Sequence, residues 1–296
     1  MTTNPARALA TAIEPFSAQV YFSPECHASY EALGFGPSPG KAGEVSLPDG
    51  PAYFCSRGSI LGQVPGEVVA AAFGVFNPDV VVPAVRHGWT LTDATTIEAA
   101  RTEGALAQLR RILGDEPEGL RRAVELLQRA VGGLRPEGRP LYAGLLALGV
   151  PDDPLGLAWR LADRLREYRG DSHIAAWTSA GFDATEIGLI TELYWGLPLR
   201  TYIRTRAWTS EQLDVAEERL VSRGLVKDAA LTPEGRSERE AVEAATDRAC
   251  RRIVDNLVAD VDELVSIVGG WSKAIQAADG YPASGPHELA QLSRRS

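Results

Sequence analysis

Helix caps dominate this sequence and leave little room for anything but a mainly helical fold. Ser23-Pro24-Glu25 reads as an N-cap, a first-turn proline and an acid near the positive helix end. Asp153-Pro154 and Thr232-Pro233 open helices in the same way, and Asp183 caps one over 184–195. Val68, Val69, Ala72, Phe73 and Phe76 give a buried helical face that stops before Pro78. Residues 93–113 form a helix ending at Gly114, and Leu120, Val124, Leu127 and Val131 mark another that ends at Gly132-Gly133. A helix with Leu157, Leu161 and Leu165 on one side is expected to close at Gly170, with Asp171 capping a short helix over 173–179. Strand signals are few and short, so the expected class is all-α with small β-ribbons.

Composition narrows the function more than the fold. With 296 residues, 45% of them hydrophobic, the chain can bury one large or two ordinary cores. No apolar run reaches the roughly 18 residues of a membrane span, and residues 1–20 lack a cationic start before an apolar block. Cys26, Cys55 and Cys250 are odd in number and carry no motif, which suits a reducing compartment, so a cytoplasmic protein without a membrane is expected. A net charge of −9 argues against capture of nucleic acid by the molecule as a whole and leaves room for a local basic patch.

Residues 204–245 are more specific. Thr209 and Gln212 form a capping box; Leu213, Ala216, Leu220 and Val221 make one apolar face; Gly224 ends the helix. Leu225-Val226 and Leu231 flank a Lys227-Asp228-Ala229-Ala230 turn as two short strands, and Thr232-Pro233 starts a long helix carrying apolar residues from Val242 through Val268. Helix, ribbon, capped helix is the order of a winged helix-turn-helix. The segment resembles the MarR superfamily, whose wing also leads into a helix through Leu-Thr-x-x-Gly-Arg, here Leu231 to Arg236.

Short echoes point to duplication. Residues 24–35 and 170–182 each carry a His, an aromatic soon after and a terminal Gly-Phe, and Arg57 echoes Arg206. Two winged-helix halves, 1–135 and 136–296, would make a monomeric pseudo-dimer; a homodimer is the other option. More widely, Ser23 to Tyr30, Ser56-Arg57, Phe76-Asn77-Pro78, Gly138 to Leu141, Leu165 to His173 and Glu243 to Arg248 resemble an actinobacterial helix-turn-helix family of about this length. Its members often carry His where this chain has Tyr168, so a role for that His does not carry over.

The candidate chemistry sits in two places. Arg164, Glu167, Arg169, Asp171 and His173 surround one helix junction, where carboxylates beside an imidazole could do acid–base work. The plainer reading makes Asp171 a cap, pairs Glu167 with Arg164 and gives His173 a packing role. His27 and Tyr30 lie one turn apart, and under duplication His27 and His173 would face one central cavity. Glu25-Cys26-His27 are consecutive and fan around the helix, so no metal or other cofactor is expected. Nucleotide and serine-hydrolase signatures are missing as well. Tyr142, Trp159, Trp177, Tyr194, Trp195, Tyr202 and Trp208 are mostly core by type, yet such clusters also wall sites for planar ligands.

The resemblance to MarR-like proteins implies a ligand at the junction of winged helix and oligomer helices. A small apolar or aromatic molecule is therefore expected against His27, Tyr30, Arg57, Glu167, His173, Trp177 and Tyr202. Double-stranded DNA is the other expected partner, through Arg200, Arg204, Arg206, Arg219, Arg223 and Lys227. Against it stand Glu211, Asp214, Glu217 and Glu218 on the second helix, which repel phosphates. A ligand-responsive regulator comes first, and an enzyme or ligand-sequestering protein on an inherited scaffold is the alternative. The two separate on whether those arginines share an exposed face or are held in internal ion pairs.

Overall fold

The spine of the molecule is α9, Pro154–Ser179, a helix of 26 residues and therefore about 39 Å long. A computed structural model describes residues 4–286. Before the spine come α1 (Pro5–Ala18), α2 (Pro24–Ala32), a ribbon of β1 (Lys41–Ala42) and β2 (Val45–Ser46), α3 (Gly50–Gly58) and α4 (Gly66–Phe73). These are followed by α5 (Pro78–Leu91), α6 (Ala94–Leu113), α7 (Leu120–Ala130) and α8 (Pro140–Ala147). After the spine come α10 (Ala184–Tyr194), α11 (Ser210–Ser222), a ribbon of β3 (Val226–Lys227) and β4 (Ala230–Leu231), and α12 (Pro233–Ala249). α13 (Arg251–Leu257) and α14 (Val261–Ala277) close the fold. No helix among the described residues is long and apolar enough to cross a membrane.

Most helix starts fall where the caps place them. Ser23, Asp153, Asp183, Thr209 and Thr232 each accept a backbone N–H in the first turn, and Asp183 and Thr209 form full capping boxes. Around residues 209–240 the order is helix, antiparallel ribbon with Val226 opposite Leu231, then α12.

Two expected boundaries do not form. α9 runs through Gly170 without a break, because an interior glycine costs only about 1 kcal/mol and burial on both sides outweighs it. Asp171 is accordingly no cap of its own helix; its Oδ2 accepts the Tyr142 N–H, 2.9 Å away, at the start of α8. The long C-terminal helix, conversely, is interrupted. It stops at Cys250 and again at Val258, whose φ of +54° no helix accommodates.

The main core gathers residues from Leu9 to Ile275, so halves 1–135 and 136–296 share it rather than owning separate ones. Smaller cores lie under α3–α5 and α8, and between the end of α9, α10, α11 and α12. The halves also differ in order. The first ribbon precedes α3, whereas the second follows α11, and α4 passes to α5 without strands. In the first half α5 packs on both α3 and α4; in the second α10 packs on both α11 and α12.

Candidate functional site

A cavity of about 1380 Å³ opens where α1, α9, α10, α12 and α14 meet. Apolar residues of α1, with Val265, Gly269 and Gly270 of α14, form one wall, and Tyr194, Trp195, Tyr202 and Ile203 another. Arg57, Glu167, Arg169, His173 and Arg206 also face it.

Glu167, 1% exposed, is the anchor of the polar side. Arg57 grips it with Nε at 3.0 Å and Nη2 at 2.8 Å, and Arg166 adds Nη1 at 2.7 Å while reaching Glu14 at 2.9 Å. Burial pushes the Glu167 carboxyl up, but the two guanidinium groups outweigh it and hold it down to about 2. The expected pairing with Arg164 is not made. Arg164 instead donates to the Leu145 and Leu148 carbonyls at the end of α8, where a helix terminus favours a cation.

His173 is set apart from that network. Thr246 Oγ1 donates to the Val242 carbonyl at 2.9 Å, so its lone pair accepts from His173 Nδ1–H at 3.0 Å. This tautomer leaves Nε2 as an acceptor, with no hydrogen-bond partner among the described residues. Burial lowers the His173 pKa to about 4, outweighing Glu243 at 3.9 Å, and the ring is neutral at pH 7. The cavity thus holds a neutral base.

Two carboxyls titrate near neutrality. Burial and the neighbouring Glu167 push Asp171 up to about 7 against the Tyr142 N–H, and burial takes Glu192 up to about 7. For an acid whose folded pKa is raised, the folded state binds the proton more tightly than the unfolded chain. Its contribution is full below the unfolded value and is lost as pH rises to about 7. Asp171→Asn, which keeps an acceptor for Tyr142, should therefore reduce the loss of stability between pH 5 and pH 8 by about 2 kcal/mol. Urea unfolding at both pH values measures this, and equal losses in the two proteins would refute the raised carboxyl.

The remaining expected ligand residues lie elsewhere. His27 and Tyr30 line a separate niche of about 10 Å³ with Tyr21, Asp49 and Ser56, room for about one water. His27 therefore does not share a cavity with His173; its Nε2 sits 3.0 Å from the Tyr21 carbonyl. Trp177 is buried in the core beneath α10 and α11. Tyr142 and Trp159 are core as well, while Tyr194 and Trp195 join Tyr202 on the cavity wall. Among the described residues no group of three metal-ligating side chains is placed to hold an ion.

Sequence reasoning named Tyr202 for a ligand and Arg206 for DNA, but not how their loop is held or that Arg206 faces the cavity. Buried Glu192 accepts from the N–H groups of Arg200 and Ile203. From the other half, Asn77 donates its Nδ2 to the Ala207 carbonyl at 3.0 Å, and its N–H meets the Arg206 carbonyl at 3.0 Å. Trp208 Nε1 donates to Val75 at 2.9 Å. Phe76-Asn77-Pro78 was visible as a motif, but nothing local told of a clamp across 130 residues.

Residues 6–282 match the model of a helix-turn-helix family. The chain belongs to that family. Neither a curated protein nor a solved structure matches it. In a helix-turn-helix protein the second helix of the motif is the one that meets DNA, and a DNA-binding regulator is the coarse reading of the family. α11, the helix before the second ribbon, exposes Ser210, Glu211, Asp214, Val215, Glu218, Val221 and Ser222. Arg200 is held by Asp214 and Glu217, Arg219 by Asp183 and Glu186, and Arg223 by Glu186 at 3.3 Å. Arg206 turns into the cavity. Only Arg204 and Lys227 of the six remain exposed without an ion-pair partner among the described residues, so the six form no common phosphate-facing rim.

Proposed function

We propose that this helix-turn-helix protein is a small-molecule-binding protein whose site is the cavity between α1, α9, α10, α12 and α14. The observation that carries this reading is the cavity itself, about 1380 Å³ with an aromatic wall and neutral His173. That size accommodates a ligand at or above the upper end of ordinary small-molecule sites, roughly 1,000 Å³. The ligand is an apolar or aromatic molecule, and the protein sequesters or transforms it rather than reading DNA. Acidic α11 and the internal pairing of Arg200, Arg219 and Arg223 support that side of the proposal.

A second reading, a MarR-like winged regulator, is favoured by one observation. Lys227 projects from the ribbon and Arg204 lies exposed ahead of α11, the two places from which a wing and its helix reach phosphates. Salt dependence separates the readings. Two free cations give a slope of log K against log salt of about −2, and six give about −5. We expect weak, sequence-indifferent retardation with the shallow slope. A steep slope with preference for one fragment would install the regulator instead. On the ligand side, mass spectrometry of protein purified natively from its host is expected to reveal a bound compound that denaturation releases.

A further inference from the structure

The arginines facing the cavity are almost all neutralised. Arg7 is paired with Glu240 and Asp247, Arg57 with Glu167, Arg166 with Glu14 and Glu167, Arg169 with Glu243 and Asp247, and Arg239 with Glu243. Arg206 differs. Among the described residues no carboxylate lies within 4.0 Å of it. Its Nη1 donates to Thr205 Oγ1 at 3.2 Å and its Nη2 to the Tyr202 hydroxyl, both neutral, and its Nε donates to no described residue. Lys273 also borders the cavity without a carboxylate, but its side chain is exposed.

Arg206 is also held still. Its guanidinium carbon stands 4.8 Å from the centre of Phe76 and 4.6 Å from that of Tyr202, so two rings fix its plane. The backbone beneath it is clamped by Asn77 and, three residues earlier at Ile203, by Glu192. Arg200 and Ala207, which bracket this segment, both adopt left-handed backbone at φ of +60° and +62°. Non-glycine residues hold such a conformation only where the surroundings impose it, and such strain gathers at binding sites. A planar cation fixed in advance, with donors unspent and no counter-ion, is what a cavity needs to fork an anion.

We propose that Arg206 is the anion subsite of this cavity and that the ligand is an apolar or aromatic molecule bearing one carboxylate or phosphate group. The apolar body lies along the α1 wall and against Tyr202, and the anion takes the place that carboxylates fill at the other arginines. This inference rests on the small-molecule reading above.

Calorimetric titration with matched probes tests it: 2-naphthoate, its neutral isostere 2-naphthamide, and 2-naphthyl phosphate, with Nile red as a neutral reporter of the cavity. The full chain should bind at least one anionic probe about tenfold or more tighter than the amide, the size of one charge-assisted pair. Whichever anion is preferred distinguishes carboxylate from phosphate. In Arg206→Gln the preference should fall to within about twofold, with amide and Nile red binding unchanged. Arg206→Lys, which keeps charge but loses the planar fork, should retain part of it and serves if the Gln variant fails to fold. If the amide binds as tightly as the anions, or Arg206→Gln keeps the preference, the subsite is wrong while the cavity reading stands. If none of the probes binds, Nile red included, the small-molecule reading falls and the subsite with it.

Discussion

Glu167→Ala is expected to lower the unfolding free energy by about 3 kcal/mol, because it strands the largely buried Arg57 guanidinium and leaves Arg166 with Glu14 alone. For a chain of this size that is a fall in melting temperature of roughly 10 °C. The magnitude comes from the orphaned charge rather than from the net worth of the pair, so the double variant Glu167→Ala, Arg57→Met should recover part of the loss. Arg57 stacks on Phe73 at 4.4 Å, and a methionine there keeps that contact without the charge. Calorimetric scans of the single and double variants measure both effects. A loss under about 1 kcal/mol for the single variant would mean that water reaches Glu167, contrary to its burial. Such a variant frees Arg57 toward the cavity, so binding of an anionic probe should survive in whatever fraction stays folded. That separates the framework role of Glu167 from the ligand role assigned to Arg206.

What was legible in the sequence follows from the range over which each cause acts. Caps act within four residues, and Ser23, Asp153, Asp183, Thr209 and Thr232 start helices where their side chains require. The ribbon at 226–231 was legible for the same reason, since Gly224 and Thr232 bound it locally. Gly170 misled because a local helix preference was overridden by packing along the whole of α9. Glu167 and His173 were legible as chemistry but not as partners. Arg57 lies 110 residues from Glu167, and Thr246 lies 73 from His173, distances at which no spacing rule operates. The same blindness hid the difference between Arg206 and the paired arginines, which is a matter of missing carboxylates in space.

Those long-range contacts also set how the C-terminal half, after α9, relates to the rest. Asn77 caps α5 with its Oδ1 while its Nδ2 holds the Ala207 carbonyl and Gln212 Oε1, so one side chain couples α5 to the entry of α11. Gln212 in turn closes the capping box on Thr209. The cavity loop, the start of α11 and the start of α5 are thus joined through the side chain and backbone of one residue.

Gly235→Ala is expected to destabilise that half by about 3 kcal/mol, a large effect for one methyl group. A Cβ on Gly235 would stand 2.0 Å from the Leu225 carbonyl oxygen and 2.9 Å from its carbon. That carbonyl cannot step aside freely, since it accepts from the Thr232 N–H at 3.1 Å and leads into β3. The glycine in Leu231-Thr232-Pro233-Glu234-Gly235-Arg236 is therefore there for close approach of strand and helix, not for backbone freedom. The ribbon must lift from the first turn of α12, which exposes Leu225 and Val226 and loosens the core they share with Leu220 and Val242. Hydrogen exchange should accordingly speed up at amides of α11 and β3, while amides in α1, α6 and α7, buried in the main core, keep their protection. Uniform acceleration across all helices would show that the two cores unfold together, and unchanged exchange at β3 would show that the ribbon does not sit on Gly235 at all.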